Sequence, residues 1–560
     1  MSPTPPQTYI IYSQVTNIPV TEEAFLKRLK IFSSTSLLRV CSALNMILTQ
    51  WADGYDDEGH ARLVRSFFPP SLATLLLVMK RPVFHRHQLL FVAQQALLHC
   101  EVKHETPATL PNIKEAGTMM LMASELIARP TSRQLASSQE LARRICSVLP
   151  DMETNGPTTY SWKMARSIAM CTRFADQFRG AKHYFDIRSL FREATGIDLD
   201  AFYALLFGCF SRFLKLDEIK KSMNLLDYCI TGDFFRKCTA IDTEELNRFF
   251  AYVSNDASGF ASEVQTKHPH YNDLTILRNK PLFADNEQYF PLDLSLLADK
   301  MESGVFWSVH NSLPDNKRGS LHQFWGDVFE QYICWLVESS VDGRVNRFIR
   351  SPRYAKRLNE EVCDIIVISD RSAVLIECKG STFSAEGKYG GDPQKLDAEL
   401  KKKFVHSETS RKGVRQLGDS IQNLFGKNSQ DEVYDLNLSN IDTVIPILLT
   451  RDDIGAAFNV SAYLNLHFQE AIREMEFTRA VSPLCAVSAC DVERLAPYLR
   501  QLSLAEIFLG RIKGDKDLIF PLWSDGNSLL TNLDRLPSQL LIDEIERLGQ
   551  ICISRLGLQE

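Results

Sequence analysis

A short stretch in the second half of the chain carries two carboxylates and a lysine at a spacing that suits phosphate chemistry. Asp364 precedes one apolar run, and Glu377 and Lys379 end the next. If Asp370 and Arg371 form a two-residue turn, the strand register sets Asp364 opposite Glu377, with Cβ atoms about 4.5–5.5 Å apart. Two such carboxylates repel each other unless a proton or a cation lies between them. Because Lys379 projects from the same face as Glu377, the stretch predicts a divalent-metal site beside a lysine.

The alternative is that this segment is only the charged end of a strand, since Glu-x-Lys is a common tripeptide. The runs Val362 to Ile368 and Ala373 to Cys378 are apolar and rich in β-branched residues, as buried strands are. A buried strand does not end in charges unless something compensates them. The surrounding sequence therefore favours a functional site.

Two predicted helices add further polar side chains. Ser320 to Val337 has apolar residues at helical spacing, with Ser320 and Gln323 suited to a capping box at its start. Glu330 falls inside this helix, next to the apolar stripe. Gln416 lies in a second predicted helix, Arg411 to Phe425.

In this order, the segments resemble the PD-(D/E)XK, or restriction-endonuclease-like, nuclease superfamily. The matching pieces are Gly326-Asp-Val-Phe-Glu330-Gln-Tyr332, Cys363-Asp364, Glu377-Cys-Lys379 and Arg415-Gln416-Leu417. The chain departs from the family pattern at Cys363, where the eponymous proline would stand, but that position supplies no side-chain chemistry. The resemblance covers residues 290–495 and implies an α/β nuclease domain.

The resemblance implies a Mg²⁺-dependent nuclease, with Mn²⁺ able to substitute. Asp364, Glu377 and the backbone carbonyl of Cys378 would bind the metal, since Mg²⁺ prefers hard oxygen ligands. Glu330 would orient a metal-bound water or hold a second ion. The expected substrate is DNA, although the residues do not distinguish DNA from RNA.

Two further side chains complete the implied catalytic set. Lys379 lies beside two carboxylates, which favour its charged form, so we assign it to water positioning and charge stabilisation rather than to general-base work. Gln416 would form a hydrogen bond near the same site.

A basic run follows the predicted site in sequence and is opposed by one acid, Glu408. Its members are Lys401, Lys402, Lys403, Arg411, Lys412 and Arg415. Such runs are usually solvated surface, and the alternative here is contact with nucleic-acid phosphates. The sequence leaves both interpretations open.

Composition limits the class of protein. The chain has 560 residues, 45 % hydrophobic and 24 % charged, which is ordinary for about three to four globular domains. A net charge of −6 gives no whole-chain signature of nucleic-acid binding, so DNA contacts would have to come from local patches. The 13 dispersed cysteines favour reduced thiols in the cytoplasm. No signal peptide is evident, and no apolar run is long enough for a bilayer, so no membrane association is expected.

The predicted organisation is multidomain. Residues 1–255 form a largely helical recognition or regulatory region with a subdivision near 155, and residues 256–300 form a junction of loops and short strands. Residues 301–495 form the nuclease domain, and residues 496–560 form a helical extension. Within the nuclease domain, the glycine-rich segment Ser384 to Pro393 is expected to be a mobile flap. The strand Asp442 to Thr450 is expected to be buried, and its Pro446 suggests a position at a sheet edge or at a strand end.

These observations predict a metal-dependent DNA endonuclease. By fold-level analogy, a nuclease with a large helical appendage suits a bacterial restriction or anti-phage defence effector. Because one such site cuts one strand, a homodimer or larger assembly through the helical half is expected, and a protein partner also fits. The alternative is a nuclease-like domain that binds nucleic acid or a partner without cutting.

Overall fold

A computed structural model describes residues 9–557 apart from 50–56, 104–111, 128–136, 156–159, 214–224, 236, 237, 239, 407–411, 458, 514–517, 524–527, 532–535 and 537. The first half of the chain is largely helical. Its helices are α1 (Tyr12–Thr16), α2 (Glu22–Leu29), α3 (Ser34–Thr49), α4 (Asp57–Phe67), α5 (Pro70–Val78), α6 (Arg86–His99), α7 (Ile113–Ile127), α8 (Ser138–Asn155), α9 (Tyr160–Ile168), α10 (Ile187–Thr195), α11 (Leu199–Ser211) and α12 (Thr243–Val253).

The segment between the two halves contains more helix than the sequence predicted. It holds α13 (Ala257–Lys267) and α14 (Thr275–Asn279), then the start of α15 (Leu294–Ser312). The prediction of loops and short strands over 256–300 is therefore wrong for these stretches. The first of these helices has Asp256 as its N-cap, and the carboxylate of Asp256 accepts from the N–H of Gly259 at 2.7 Å.

Four short strands join this segment to the helical half. They are β1 (Ile230–Thr231), β2 (Ser254–Asn255), β3 (Leu282–Asp285) and β4 (Gln288–Pro291). They form one small sheet in the order β1-β4-β3-β2. The boundaries proposed at residues 255 and 300 stay a prediction.

The second half combines a mixed sheet with helices. Its strands are β5 (Arg347–Arg350), β6 (Arg353–Tyr354), β7 (Arg357–Glu361), β8 (Ile365–Ser369), β9 (Ser372–Lys379), β10 (Thr443–Thr450), β11 (Ala480–Val481), β12 (Cys485–Ser488), β13 (Ile512–Lys513) and β14 (Leu518–Ile519). Its further helices are α16 (Asp315–Ser340), α17 (Ala385–Tyr389), α18 (Pro393–Leu400), α19 (Gly413–Phe425), α20 (Val460–Ile472), α21 (Ala489–Leu495), α22 (Leu504–Leu509), α23 (Ser528–Thr531) and α24 (Gln539–Leu556).

The main sheet runs in the order β11-β10-β9-β8-β5, with β12 also paired to β10. Strands β5, β8 and β9 are antiparallel neighbours, whereas β9, β10, β11 and β12 are parallel. The chain is thus a helical first half followed by an α/β region, as the sequence predicted at that level.

The central strands of the main sheet, β8, β9, β10 and β12, are buried on both faces. Val374 and Ile376 of β9 pack in one apolar core with Trp325 and Phe329 of α16. The intervening residues of the same strand, such as Leu375, pack in another core with α19 and α20. Because successive strand residues point to opposite faces, Glu377 and Lys379 share the α19 face.

The first of these cores also contains residues from both halves of the chain, since it includes Phe202 of α11, Trp325 of α16 and Leu548 of α24.

Within the described residues, no single helix has the length and apolar character needed to cross a bilayer. Two bent helix pairs, α2 with α3 and α10 with α11, pass that test together on length and composition alone.

Three local predictions in the second half are wrong. Strand β10 is internal, because β9 lies on one side and β11 and β12 on the other. Pro446 is tolerated because it faces the break between those two partners, where the ladder resumes only at Ile447. The capping box at Ser320 does not exist, since α16 begins at Asp315 with Pro314 as N-cap.

The third correction concerns the predicted flap. Ser384 caps α17 by accepting from the N–H of Gly387 at 3.0 Å. Lys388 in this helix is buried, with its ammonium 2.5 Å from Glu153 and 2.7 Å from Asp452. The segment is therefore a packed helical turn and not an open glycine-rich loop.

Candidate active site

The hairpin of β8 and β9 has the register that the sequence predicted. Ser369 pairs with Ser372 and Ile365 pairs with Ile376, so the next step of the ladder sets Asp364 opposite Glu377. The turn begins at Asp370 with φ of +50°, and a positive φ at the first loop position matches the twist of paired strands. The local chain geometry alone therefore brings the two carboxylates together.

At the end of the β8–β9 pairing, the side chain of Asp364 takes the place of a backbone hydrogen-bond acceptor. Its Oδ2 accepts a hydrogen bond from the backbone N–H of Cys378 at 2.6 Å. The N–H and C=O of one strand residue point to the same side, so the carbonyl of Cys378 faces the Asp364 side of β9. This arrangement places three oxygen-bearing groups, those of Asp364, Glu377 and Cys378, at the same end of the hairpin.

Lys379 is held between a carboxylate and an amide. Its ammonium donates to Glu377 Oε1 at 2.7 Å and to Gln416 Oε1 at 2.9 Å. Gln416 Oε1 also accepts from the N–H of Gly413 at 2.7 Å, which fixes the amide at the start of α19. A Cβ on Gly413 would lie 2.6 Å from the carbonyl oxygen of Phe404, so the close approach needs glycine. The structure thus brings Asp364, Glu377, Lys379 and Gln416 into one group.

Glu330 reaches this group from another direction. Its helix, α16, packs on the sheet face opposite Glu377 and Lys379. The chain just after β9 approaches α16 closely, because a Cβ on Gly380 would lie 2.8 Å from Gly326 Cα. Glu330 is therefore near the end of β9 and acts on the strand carboxylates through its charge.

The carboxylates shift one another's proton affinity. Burial, then the charges of Glu377 and Glu330, raise the pKa of Asp364 well above its ordinary value. Burial, followed by the charges of Glu361, Asp327 and Glu377, raises the pKa of Glu330 to about 7. Without a metal, Asp364 and Glu330 therefore take up protons more readily than ordinary carboxyls do.

The carboxylates favour the charged form of Lys379. Burial would lower the pKa of its ammonium, but the charge of Glu377 and its hydrogen bond outweigh burial and raise it. A protonated Lys379 is available for charge stabilisation and not for accepting a proton.

The donor set fits a hard divalent cation. Among the described residues, no group of three or more His, Cys, Asp and Glu side chains is arranged to hold a metal ion. Mg²⁺ needs fewer, since it keeps several waters and is commonly held by one or two carboxylates. Asp364 engages Oδ2 and Glu377 engages Oε1 in the hydrogen bonds above, so each keeps a second carboxylate oxygen. These two and the Cys378 carbonyl suffice chemically for Mg²⁺ or Mn²⁺.

The basic run divides into engaged and exposed cations. Lys401 is 2.7 Å from Asp397, and the ammonium of Lys403 lies 5.4 Å from the centroid of the Phe383 ring. Lys402 and Arg415 are exposed, Lys412 is partly so, and Arg411 lies outside the described residues. The exposed members are the ones free to meet phosphates.

Some residues of the site were missed from the sequence. Gly413 orients Gln416, Gly380 permits the approach of α16, and Asp327 and Glu361 add negative charge at Glu330. Asp327 carried a signal, since it lies three residues before Glu330 on the same helix. The roles of the two glycines depend on contacts between segments that are distant in the chain, so no local pattern in the sequence indicated them.

Comparison of the chain with models of protein families, with curated proteins and with solved structures gave no match. The interpretation of the site accordingly depends on its residues and their geometry.

The close approach at Gly380 yields a stability prediction. Gly380→Ala should lower the free energy of unfolding by about 1–3 kcal/mol, because the methyl group meets α16 backbone. Gly319→Ala, within α16, is the control, since no described atom outside its own turn of helix lies within 4 Å of its Cβ position and alanine favours helix by about 0.5–1 kcal/mol. Denaturant unfolding measures both. A Gly380→Ala protein as stable as the parent would contradict the packing described.

The raised pKa values yield a pH prediction. Metal binding requires charged carboxylates, so Mg²⁺ should displace protons from Asp364 and Glu330, and its affinity should rise with pH through about 7. Calorimetry in buffers of different ionisation heat counts the protons released.

Without metal, Glu330 keeps its proton in the folded state up to a pKa of about 7 but loses it at lower pH when unfolded, so its contribution to stability falls as pH rises to that value. Glu330→Gln should flatten both dependences; unchanged profiles would refute the assignment.

Proposed function

We propose that the chain is a metal-dependent nuclease that hydrolyses phosphodiester bonds in DNA. The observation that carries the proposal is the hairpin register that sets Asp364 opposite Glu377, with Lys379 hydrogen-bonded to Glu377 and Gln416. A purely structural hairpin gains nothing from buried carboxylates that repel each other.

Each side chain has a role that follows from its surroundings. Asp364, Glu377 and the Cys378 carbonyl would hold Mg²⁺, which supplies Lewis-acid polarisation of the scissile phosphate and a more acidic bound water. Lys379, kept protonated by Glu377, lies where it can orient the attacking water and balance charge on the phosphate oxygens. Gln416 holds the Lys379 ammonium in place, and Glu330 would orient a metal-bound water or hold a second ion.

A nucleic-acid substrate, with DNA as the proposed one, suits the exposed and partly exposed cations beside the site. Lys412 and Arg415 bracket Gly413, whose N–H is bonded to Gln416. Cations at this position can contact phosphates on either side of the scissile bond without reading sequence.

Three isosteric variants test the chemistry. Asp364→Asn, Glu377→Gln and Lys379→Met should each lower Mg²⁺-dependent cleavage of plasmid DNA at least about 100-fold. Asp370→Asn, which removes a carboxylate from the turn of the same hairpin and keeps a residue tolerant of positive φ, should cleave normally. Folding stability separates the roles: Asp364→Asn should not destabilise the metal-free protein, whereas Lys379→Met leaves Glu377 buried and unpaired and should cost up to about 3 kcal/mol.

The outcome decides between the two functions that the sequence left open. Loss of cleavage in the three variants, with DNA binding retained, is the expected result. No cleavage of plasmid, linear DNA or RNA by the parent protein with Mg²⁺ or Mn²⁺ would instead favour a binding scaffold.

The exposed cations give a second, separate measurement. Removal of one cation that binds a phosphate should reduce the slope of log K against log salt by about 0.9 on duplex DNA. The triple variant Lys402→Ala, Lys412→Ala, Arg415→Ala should thus flatten the slope by about two to three units. Lys401→Ala with Lys403→Ala is the control, with a smaller expected effect because these ammonium groups already have partners in the fold. Equal slopes in all proteins would identify the run as solvated surface.

A further inference from the structure

A cavity of about 420 Å³ lies where the helical half meets the sheet. Its wall is built by α8, α9, α14 and α15, by the segment from Thr382 through α17, and by the three residues that follow β10. We call it the junction cavity. None of the residues in the proposed catalytic group lines it.

Most charges in the wall are matched. The wall has five acidic and six basic side chains, and four of the basic ones have close ion pairs. Their pairings are Lys163 with Asp299 and Asp453, Arg166 with Glu302 and Glu493, Arg278 with Glu153 and Asp299, and Lys388 with Glu153 and Asp452. Every acid of the wall is therefore already engaged by a cation.

Two basic side chains remain undercompensated. Lys300 is only 6 % exposed, and its ammonium lies 3.7 Å from the centroid of the Tyr252 ring, with no carboxylate paired to it among the described residues. Arg451 is 5 % exposed, its guanidinium is 3.5 Å from Glu302 Oε1, and its buried Nε has no hydrogen-bond partner within the described part of the chain. Glu302 is shared with Arg166, which binds it more closely.

A buried cation without a counter-charge is unfavourable, and an anion from solution can supply that charge. In agreement, burial and then the charge of Lys280 lower the pKa of Lys300 to about 7, and burial lowers the pKa of Arg451. Such groups favour a ligand that brings its own negative charge.

The rest of the wall specifies more than charge. Trp307, half-buried on α15 one turn beyond Ser303, contributes an aromatic ring to the wall. The volume is within the range of sites that enclose small organic ligands. Arginine is well suited to phosphate because its planar donors match the phosphate oxygens.

We propose that the junction cavity binds a nucleotide, with Lys300 and Arg451 contacting its phosphate groups and Trp307 packing on its base. The backbone N–H of Arg451 also donates to the carbonyl of Lys379 at 3.0 Å. Binding at Arg451 is thereby linked to the strand end that carries the proposed catalytic lysine. The binding proposal itself does not depend on nuclease activity.

Calorimetry on the full-length protein in EDTA tests the proposal, with ATP, AMP and pyrophosphate as probes. At least one nucleotide should bind saturably and more tightly than pyrophosphate, which lacks the base. Lys300→Met should weaken nucleotide binding at least about tenfold, since it removes a charged contact but keeps an unbranched side chain of similar bulk. Lys27→Met, which removes an exposed lysine on α2, is the control and should bind like the parent.

Two further variants locate the ligand. Ser303→Phe fills the cavity and should abolish binding, and it decides the question if Lys300→Met fails to fold by circular dichroism. Asp364→Asn should bind nucleotide normally, since it lies outside the cavity. Binding by none of the probes, or unchanged binding in Ser303→Phe, would overturn the proposal, and loss of binding in Asp364→Asn would place the ligand at the catalytic group instead.

Discussion

Two carboxylates fixed across a tight hairpin cannot both be charged in a buried setting without a cation beside them. Asp364 and Glu377 are in that position because the turn at Asp370 sets the register and the strands are too deeply packed to slip. A one-residue slip would move every apolar side chain of β9 to the wrong face. The energy of the whole sheet therefore maintains an arrangement that is locally unfavourable, which is the usual physical character of a functional site.

Lys379 and Gln416 both lie beside the two carboxylates, on the sheet face that packs against α19. Lys379 supplies one positive charge, yet the pKa of Asp364 remains raised, so one ammonium does not neutralise the group. Gln416 is neutral and can orient Lys379 without removing its charge. The remaining negative charge is what a divalent cation would compensate, and it explains why the carboxylates need not be numerous to favour a metal.

The hairpin was predictable because every signal for it is local. Apolar runs, a polar turn and the two-residue alternation of strands fix the positions of Asp364, Glu377 and Lys379 relative to one another. The α/β character of the second half followed from the strand-length apolar runs together with the family resemblance.

Features that depend on distant contacts were not predictable in this way. Helix α15 is buried along most of its length, so it shows little of the amphipathic period that identifies a surface helix. Pro446 suggested an edge strand because the sequence does not reveal the break between β11 and β12 that accommodates it. Likewise, the glycines at 380 and 413 matter only because Gly326 and Phe404 approach them in space.

The two halves of the chain are joined by charge as well as by apolar packing. Arg166 of α9, 1 % exposed, pairs with Glu302 of α15 and with Glu493 of α21, and Glu493 also accepts from the hydroxyl of Tyr332 on α16. Buried ion pairs contribute little net stability, because desolvation offsets their attraction, but they tolerate few alternative geometries. These buried ion pairs and hydrogen bonds fix the position of α16 and of the end of β10 relative to the helical half. Thr450 of β10 pairs with Lys379. The buried ion pairs and this strand pairing therefore connect the helical half to the group of carboxylates and lysine.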